Sequence, residues 1–213
     1  MRGHHMNKAK LMPDYKLKLS SERLTIRDFV DEDWPSVVRR TTAPEVAQYM
    51  EFTTDTWREK TKVLTWIAEQ RQLDLGTFGK YVEFAVVKDG KAIGDVALKR
   101  FSKTNKNAEI GWALDPEEQG RGYATEASAI FLDHCFRTLN LHRVTSVCDA
   151  RNTASYKLME RLGMRREGHH LQSSFIKGEW VDDLLYAILR DEWFAKPRPA
   201  YTVERSSYQE ASP

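Results

Sequence analysis

Three features of this sequence predict an α+β (mixed α/β) fold whose central sheet is mixed, mostly antiparallel and flanked by helices. Two β-rich runs, Tyr81 to Val87 and Lys91 to Arg100, flank Asp89-Gly90, a tight-hairpin signal because glycine takes positive φ without steric cost. An amphipathic stretch from Tyr123 to Leu139 lies between two apolar β-runs, the pattern of a right-handed βαβ crossover. A second hairpin, around Lys177-Gly178, closes the chain's ordered part.

The elements follow in order. Arg23 to Arg27 (RLTIR) reads as a short strand, and Asp31, Glu32 and Asp33 suit the start of a helix by facing the positive end of its dipole. From Thr54 to Leu75 the residues Trp57, Val63, Leu64, Ile67 and Leu73 recur at three- and four-residue steps, predicting one half-buried helix broken by Gly76 and Gly79. The hairpin follows, with Gly94-Asp95 marking an irregularity in its second strand. A third run, Ala108 to Leu114, completes an antiparallel meander and stops at Asp115-Pro116, since proline cannot continue a ladder. In the helix from Tyr123, residues Ala124, Ala127, Phe131 and Cys135 share a stripe widened by Leu132, Phe136 and Leu139. A strand from Arg143 to Asp149 and a helix from about Thr153 to Leu162, ended by Gly163, precede the final hairpin. Residues 1–20 read as an N-terminal extension, with MRGHHM resembling the remnant of an expression tag. Residues 196–213, rich in Pro and Ser, are expected to form a loosely ordered tail.

Lys and Arg number 33 against 31 Asp and Glu, a formal charge of +2, and the basic residues are scattered, so no charge argument points to nucleic acid or an anionic membrane. No apolar run approaches the ~20 residues of a membrane helix, and the start lacks the apolar stretch of a secretory signal. A cytoplasmic location is expected. Cys135 and Cys148 sit in apolar segments with no second ligand at metal spacing, so thiol catalysis and a metal site are not expected.

The stretch that carries chemistry is Glu117 to Ala127, EEQGRGYATEA. Gly120 and Gly122 remove the Cβ atoms that would hold a ligand off the backbone, and the helix opening after them presents unpaired N–H groups at a positive dipole end. Arg121 adds a charge-assisted donor. This is a phosphate cradle, although it lacks the third glycine of a dinucleotide fingerprint and the Lys and Ser/Thr of a P-loop. An ordinary turn before a helix is the plainer reading of Gly-Arg-Gly taken alone.

With Gln119, Gly122 and Ala124 opening the helix and Asn152 to Met164 (NTASYKLMERLGM) following one strand later, the sequence resembles the GNAT superfamily of acetyl-coenzyme A dependent N-acetyltransferases. The resemblance runs from about Glu22 to Trp193. It implies one N-acetyltransferase domain over residues 21–195 and a splayed strand pair in the sheet. Glu22 to Arg27, Glu109 to Trp112, and Gly178, Trp180, Asp182, Glu192 and Trp193 look most like the Rim-type branch, which acetylates ribosomal-protein N-termini and includes members that act on small amines and drugs. The implied reaction is direct transfer of acetyl from acetyl-CoA to a primary amine, foremost a protein N-terminal amine. An aminoglycoside or polyamine acceptor and a non-catalytic acyl-CoA-binding module are the alternatives. A homodimer is left open.

The resemblance also distributes roles. Gln119, Gly120, Arg121, Gly122, Tyr123 and Ala124 would bind the pyrophosphate, backbone N–H groups near Ala113 and Leu114 the pantetheine arm and the developing oxyanion, and Asn152 the arm from the other side. Glu109 would serve as base, with a solvent-facing strand position as its alternative. Where family members often carry an acidic Tyr, this chain has Met159. Ser155 therefore stands in as acid, with a helix-capping hydroxyl as its alternative. Tyr156 should point elsewhere on the helix. Trp112, Trp180, Phe78 and His170 are read as acceptor-side contacts, although a buried aromatic also serves simply as core. His134 and His142 are read as surface or capping residues. Glu45, Glu51, Asp182 and Asp183 are the carboxylates that would have to converge for a polycationic acceptor.

Overall fold

Nine strands form one sheet in residues 16–206, the part of the chain that the computed structural model describes, in the spatial order β7-β8-β6-β5-β4-β3-β2-β1-β9. They are β1 Leu17–Ser20, β2 Thr25–Arg27, β3 Tyr81–Lys88, β4 Lys91–Ser102, β5 Asn107–Leu114, β6 Arg143–Asp149, β7 Arg165–Ile176, β8 Glu179–Leu189 and β9 Thr202–Ser206. Every neighbouring pair is antiparallel except β5 and β6. That parallel pair is bridged by the crossover helix. Asp89 and Gly90 both take positive φ at the β3–β4 turn, as a hairpin of this twist requires.

Helices cover both faces. On one lie α5 Tyr123–Leu139 and α6 Thr153–Arg161, with a core that includes Phe84, Ile110, Phe131, Phe136 and Met159. The other is covered by α1 Trp34–Thr42, α2 Pro44–Ala47, α3 Thr54–Trp57 and α4 Lys60–Gln70, over a smaller core of Phe29, Val37, Val63, Ile67, Ala85 and Val87. A short α7, Arg190–Phe194, follows β8. None of the helices among the described residues is long and apolar enough to cross a membrane.

The single helix expected over residues 54–75 is instead α3 and α4, with extended backbone at Glu59 and the second helix ending at Gln70. In an unbroken helix Trp57 and Trp66 would sit roughly 180° apart. The break turns the two rings to an edge contact with centroids 5.5 Å apart, and Trp66 in turn meets Phe29 at 5.1 Å. Aromatic packing outweighs helix continuity here.

Both expected domain limits also move. β1 lies inside the supposed extension, and β9 inside the supposed loose tail, where it pairs antiparallel with β1. The expression-tag reading of the first residues falls outside the described part. What fixes the C-terminal segment is Asp133 on α5, 1% exposed, which accepts hydrogen bonds from Trp193 Nε1 at 2.9 Å, Tyr201 Oη at 3.0 Å and Arg137 Nε at 2.7 Å. Burial alone would raise the Asp133 carboxyl, but these donors outweigh it and hold it below its ordinary value. Its contribution to stability is therefore present above the unfolded pKa, ~3.9, and is lost as pH falls through the lower folded value. Asp133→Ala leaves the Trp193 and Tyr201 donors without their acceptor. A loss of about 3 kcal/mol is expected, read as a melting point lower by roughly 6–12 °C in a domain of this size.

Candidate functional site

The strands β5 and β6 run together only from Asn107↔Arg143 to Glu109↔Thr145 and then part, although both continue for several residues. This is the expected splay. A cavity of about 1140 Å³ enters it, walled by Trp112, Ala113 and Leu114 of β5, the loop and first turn of α5, the start of α6, and Glu45, Val46, Tyr49 and Met50 from α2 and the residues after it.

At one end is the loop expected to cradle phosphate. Gly120 and Gly122 take φ of 76° and 80°, and Gly122 is the N-cap of α5. A side chain at Gly120 would meet open space, so its absence is required by backbone conformation rather than by crowding within the protein. Gln119 Nε2 donates to the Leu114 carbonyl at 3.1 Å, tying the loop to the end of β5. Arg121 pairs with Glu118 at 3.1 Å and is largely exposed. Tyr123 is buried, with the Arg23 guanidinium 4.8 Å and the Lys88 ammonium 5.4 Å from its ring centroid. Arg23 also donates Nε to Glu126 at 2.7 Å, so the RLTIR strand is anchored to the first turn of α5. Gly120, Gln119, Gly122, Tyr123 and Ala124 all line the cavity.

Across the splay, Asn152 caps α6 by accepting the Ser155 N–H at 3.1 Å. The cap is Asn152, which leaves the Ser155 hydroxyl free of that duty. Both residues line the cavity. The Ser155 side chain hydrogen-bonds Cys148, whose thiol burial nonetheless pushes up to about 11. Met159, one turn on, is fully buried in the main core and is not part of the cavity wall. Lys157 and Arg161 add positive charge to this wall, which Arg151 also lines while paired with Asp149 and Glu179. They were not singled out from sequence, where three cations at mixed spacing look like an ordinary solvated face.

One expected feature is overturned. The Ala113 N–H is not unpaired: it donates to Asp95 Oδ1 on β4 at 3.1 Å. Asp95 is buried and also ion-paired with Arg40 of α1. The irregularity expected at Gly94-Asp95 is a bulge in which the register slips between Val86↔Gly94 and Val87↔Ala92, leaving Ile93 unpaired with β3. Its carbonyl accepts the Asp115 N–H at 2.8 Å. The bulge thus pins the end of β5 and presents the Asp95 carboxylate to it.

The acceptor-side expectations separate. Trp112 lines the cavity, on the α5 face of the sheet. Trp180 is 61% exposed at the tip of the β7–β8 hairpin, its ring 5.2 Å from Phe175, and is not part of the wall. His170 is exposed on β7 opposite Asp183 and is also outside it. Phe78 carries the Arg100 guanidinium 4.3 Å from its ring centroid. His134 is buried rather than superficial, and burial pushes it down to about 4, so it is neutral at ordinary pH. Glu109 is half-buried, accepts a hydrogen bond from the Tyr81 hydroxyl, and lies outside the cavity wall. The four carboxylates that a polycationic acceptor would need together stand apart: Glu45 lines the cavity, Glu51 acts on Tyr81, and Asp182 and Asp183 are held by His169, Gln172, Ser173 and Ser174 in the hairpin.

Comparison with known proteins adds to this geometry. Residues 23–165 match the acetyltransferase (GNAT) domain model. The chain is 30% identical to the uncharacterized N-acetyltransferase YnaD of Bacillus subtilis, over 83% of this chain and 99% of that protein. It is 28% identical to spermidine N(1)-acetyltransferase of Escherichia coli, over 59% of this chain and 68% of that one. To the putative ribosomal N-acetyltransferase YdaF of Bacillus subtilis it is 29% identical, over 65% and 72%. Among solved structures, a GNAT-family acetyltransferase from Bacillus anthracis superposes with a TM-score of 0.70 at 29% identity, covering 82% of this chain and 99% of that one.

Proposed function

The chain belongs to the GNAT family of acetyltransferases and is an acyltransferase, and from that premise we propose that it moves an acetyl group from acetyl-CoA to a primary amine, foremost a protein N-terminal amine. The reading rests on one observation. A single cavity joins a glycine-built helix N-terminus to a parted strand pair and continues to α2 on the opposite face of the sheet. A long, phosphorylated thioester needs the first two, and a second substrate needs the third.

In this reading Gln119 to Ala124 hold the pyrophosphate with backbone N–H groups, and the added charge of Lys157 and Arg161 serves the remaining phosphate. Ala113 and Leu114 flank the pantetheine arm, and Asn152 approaches it from α6. Because Asp95 occupies the Ala113 N–H and the Ala113 carbonyl faces Gly94 of β4, Ala113 contributes shape rather than an oxyanion donor. The amine attacks the thioester directly, and Ser155, or a water it holds, protonates the leaving thiolate. Ser155→Ala should lower kcat about 10-fold with little change in acetyl-CoA affinity, because the lost interaction forms chiefly in the transition state. Equal turnover in both proteins would assign the proton to another donor.

A polyamine is the second acceptor reading, and one observation favours it. The Tyr81 phenol is pushed above its ordinary value by burial and by the hydrogen bond to Glu109, with Glu83 and Glu51 adding negative charge. Three carboxylates, Glu109, Glu83 and Glu51, acting on one phenol suit a cation. Thiol release from acetyl-CoA with alanine- and serine-terminated peptides on one side and spermidine on the other separates the two. Preferred turnover of the peptides supports the first reading, and preferred turnover of spermidine replaces it with the second.

A further inference from the structure

Two adjacent arginines of α1 grip the end of β5 from two sides. Arg40, itself buried, is ion-paired with Asp95 of β4, and Asp95 takes the Ala113 N–H at 3.1 Å. Arg39 Nε donates to Asp115, the buried residue that follows β5. Asp115 is fixed twice more, by its N–H on the Ile93 carbonyl at 2.8 Å and by its carboxylate, which accepts the Glu117 N–H at 3.4 Å. Asp95 and Asp115 therefore bracket Ala113 and Leu114, the part of β5 that walls the cavity. Successive helical residues point about 100° apart, so the two grips together fix both the rotation of α1 and its place along the sheet.

What fixes α1 also fixes α2. Only Thr41, Thr42 and Ala43 lie between Arg40 and Pro44, and each is held. The Thr41 and Thr42 hydroxyls donate to the Val37 and Val38 carbonyls at 2.7 and 2.8 Å. Ala43 has the extended backbone that a following proline favours, and its carbonyl accepts the Val46 and Ala47 N–H groups at 3.1 and 2.8 Å. Glu45 and Val46 of α2, with Tyr49 and Met50 just after it, then stand in the cavity wall.

Resting on the acetyl-transfer reading, we propose that Arg39 and Arg40 are positioning residues: through Asp115 and Asp95 they set α2, the wall facing the acceptor, against the edge of β5 that flanks the pantetheine arm.

Stability alone does not account for the arrangement. Val37 of α1 already packs with Phe29, Ala85 and Val87, and a buried ion pair is often no more stabilising than apolar side chains of the same volume. Apolar contact is non-directional and tolerates sliding. A charge-assisted pair has a preferred direction and distance, which is what holding two walls of one cavity at a set separation requires.

The test compares Arg39→Gln, Arg39→Lys and the double variant Arg40→Met/Asp95→Asn, well below the melting point of each. The double variant removes both buried charges together and keeps an amide oxygen for the Ala113 N–H, so no lone charge stays in the core. With alanine-terminated peptide and spermidine as acceptors, kcat/KM for the amine should fall about 10-fold in Arg39→Gln, where one grip remains, and about 100-fold in the double variant, the loss that a displacement of ~1 Å brings. Arg39→Lys keeps the cation and should recover most of the loss. Acetyl-CoA affinity by calorimetry should match the parent's in all three. Variants that melt lower yet keep the parent's kcat/KM for the amine would make the grips purely structural and overturn the assignment. So would a loss of acetyl-CoA affinity in equal proportion, or an Arg39→Lys enzyme no better than Arg39→Gln. If the parent acetylates neither probe, the acceptor reading fails by itself, and amide hydrogen exchange over residues 44–50 decides the role of the arginines. Exchange there that acetyl-CoA slows in the parent and not in Arg39→Gln supports it. Equal slowing in both, or none in the parent, defeats it.

Discussion

Gly122→Val should weaken acetyl-CoA binding about 100-fold, or some 2.7 kcal/mol, with a much smaller loss of folding stability. Gly122 sits at φ 80° as the N-cap of α5, and its carbonyl accepts the Glu126 N–H at 3.0 Å, the first bond of the helix. Left-handed backbone costs an L-residue roughly 1–2 kcal/mol, and a β-branched one more. The strain can be relieved only by rotating the peptide planes on either side, and these carry the N–H groups proposed to hold the pyrophosphate. The nearest atom to an added side-chain carbon is Arg23 Nη2 at 3.7 Å, so the protein itself has room for the substitution. The damage falls on the cradle. Gly122→Ala separates the contributions, since it imposes strain with a smaller group and should weaken binding by about 10-fold, one step of 1.4 kcal/mol. Calorimetric titration of both variants checks the pair, and parent-like affinity in Gly122→Val would remove the phosphates from this loop.

The geometry of that loop, its two left-handed glycines and the helix start, was legible because every part of it is local. Two glycines, an arginine and the start of a helix lie within a few residues, and the physics of a helix N-terminus needs nothing from elsewhere in the chain. The same holds for α5 and β6, whose observed limits coincide with the sequence pattern, and for the hairpin at Asp89-Gly90. What was illegible depends on contacts between distant segments. β1 alternates over only four residues and β9 carries a single aliphatic residue, Val203, and their place in the sheet comes from β1 pairing with β2 on one side and with β9 on the other, with Lys18 bonded to Glu204 across the second pair. Trp180 and His170 carry suitable chemistry on the final hairpin, but the two-residue period of a strand says which face a residue takes and nothing of its distance from the splay. Glu83 and Asp95 look like ordinary half-buried strand carboxylates until register sets them beside Arg40 and Ala113.

Gly94 shows how far such a register effect extends, and Gly94→Val is expected to lower kcat/KM about 100-fold while also destabilising the fold. A side-chain carbon at Gly94 would overlap the Ala113 carbonyl oxygen and come within 3.0 Å of both Cα and Cγ of Leu114. Its backbone takes no positive φ, so close approach of β4 to β5, rather than conformation, is what requires glycine there. Neither neighbour can yield easily. Asp95 holds the Ala113 N–H, the Ile93 carbonyl holds the Asp115 N–H, and Gln119 holds the Leu114 carbonyl, so the end of β5 is tied on both sides of the clash. Relief must come from moving the splayed edge as a unit, by about 1 Å, and a misplacement of that size can cost 100-fold in rate. Overpacking adds a stability loss of about 1–3 kcal/mol, seen as a melting point lower by roughly 2–12 °C. Gly111→Ala on the adjacent strand is the contrast for stability, because its new carbon has only the Ala97 Cβ at 3.9 Å for company and should leave the melting point within about 2 °C. Thermal melts of both variants, with acetyl-transfer kinetics of Gly94→Val, make the comparison. A Gly94→Val enzyme that melts lower but keeps the parent's kcat/KM would mean that the edge of β5 does not position the thioester.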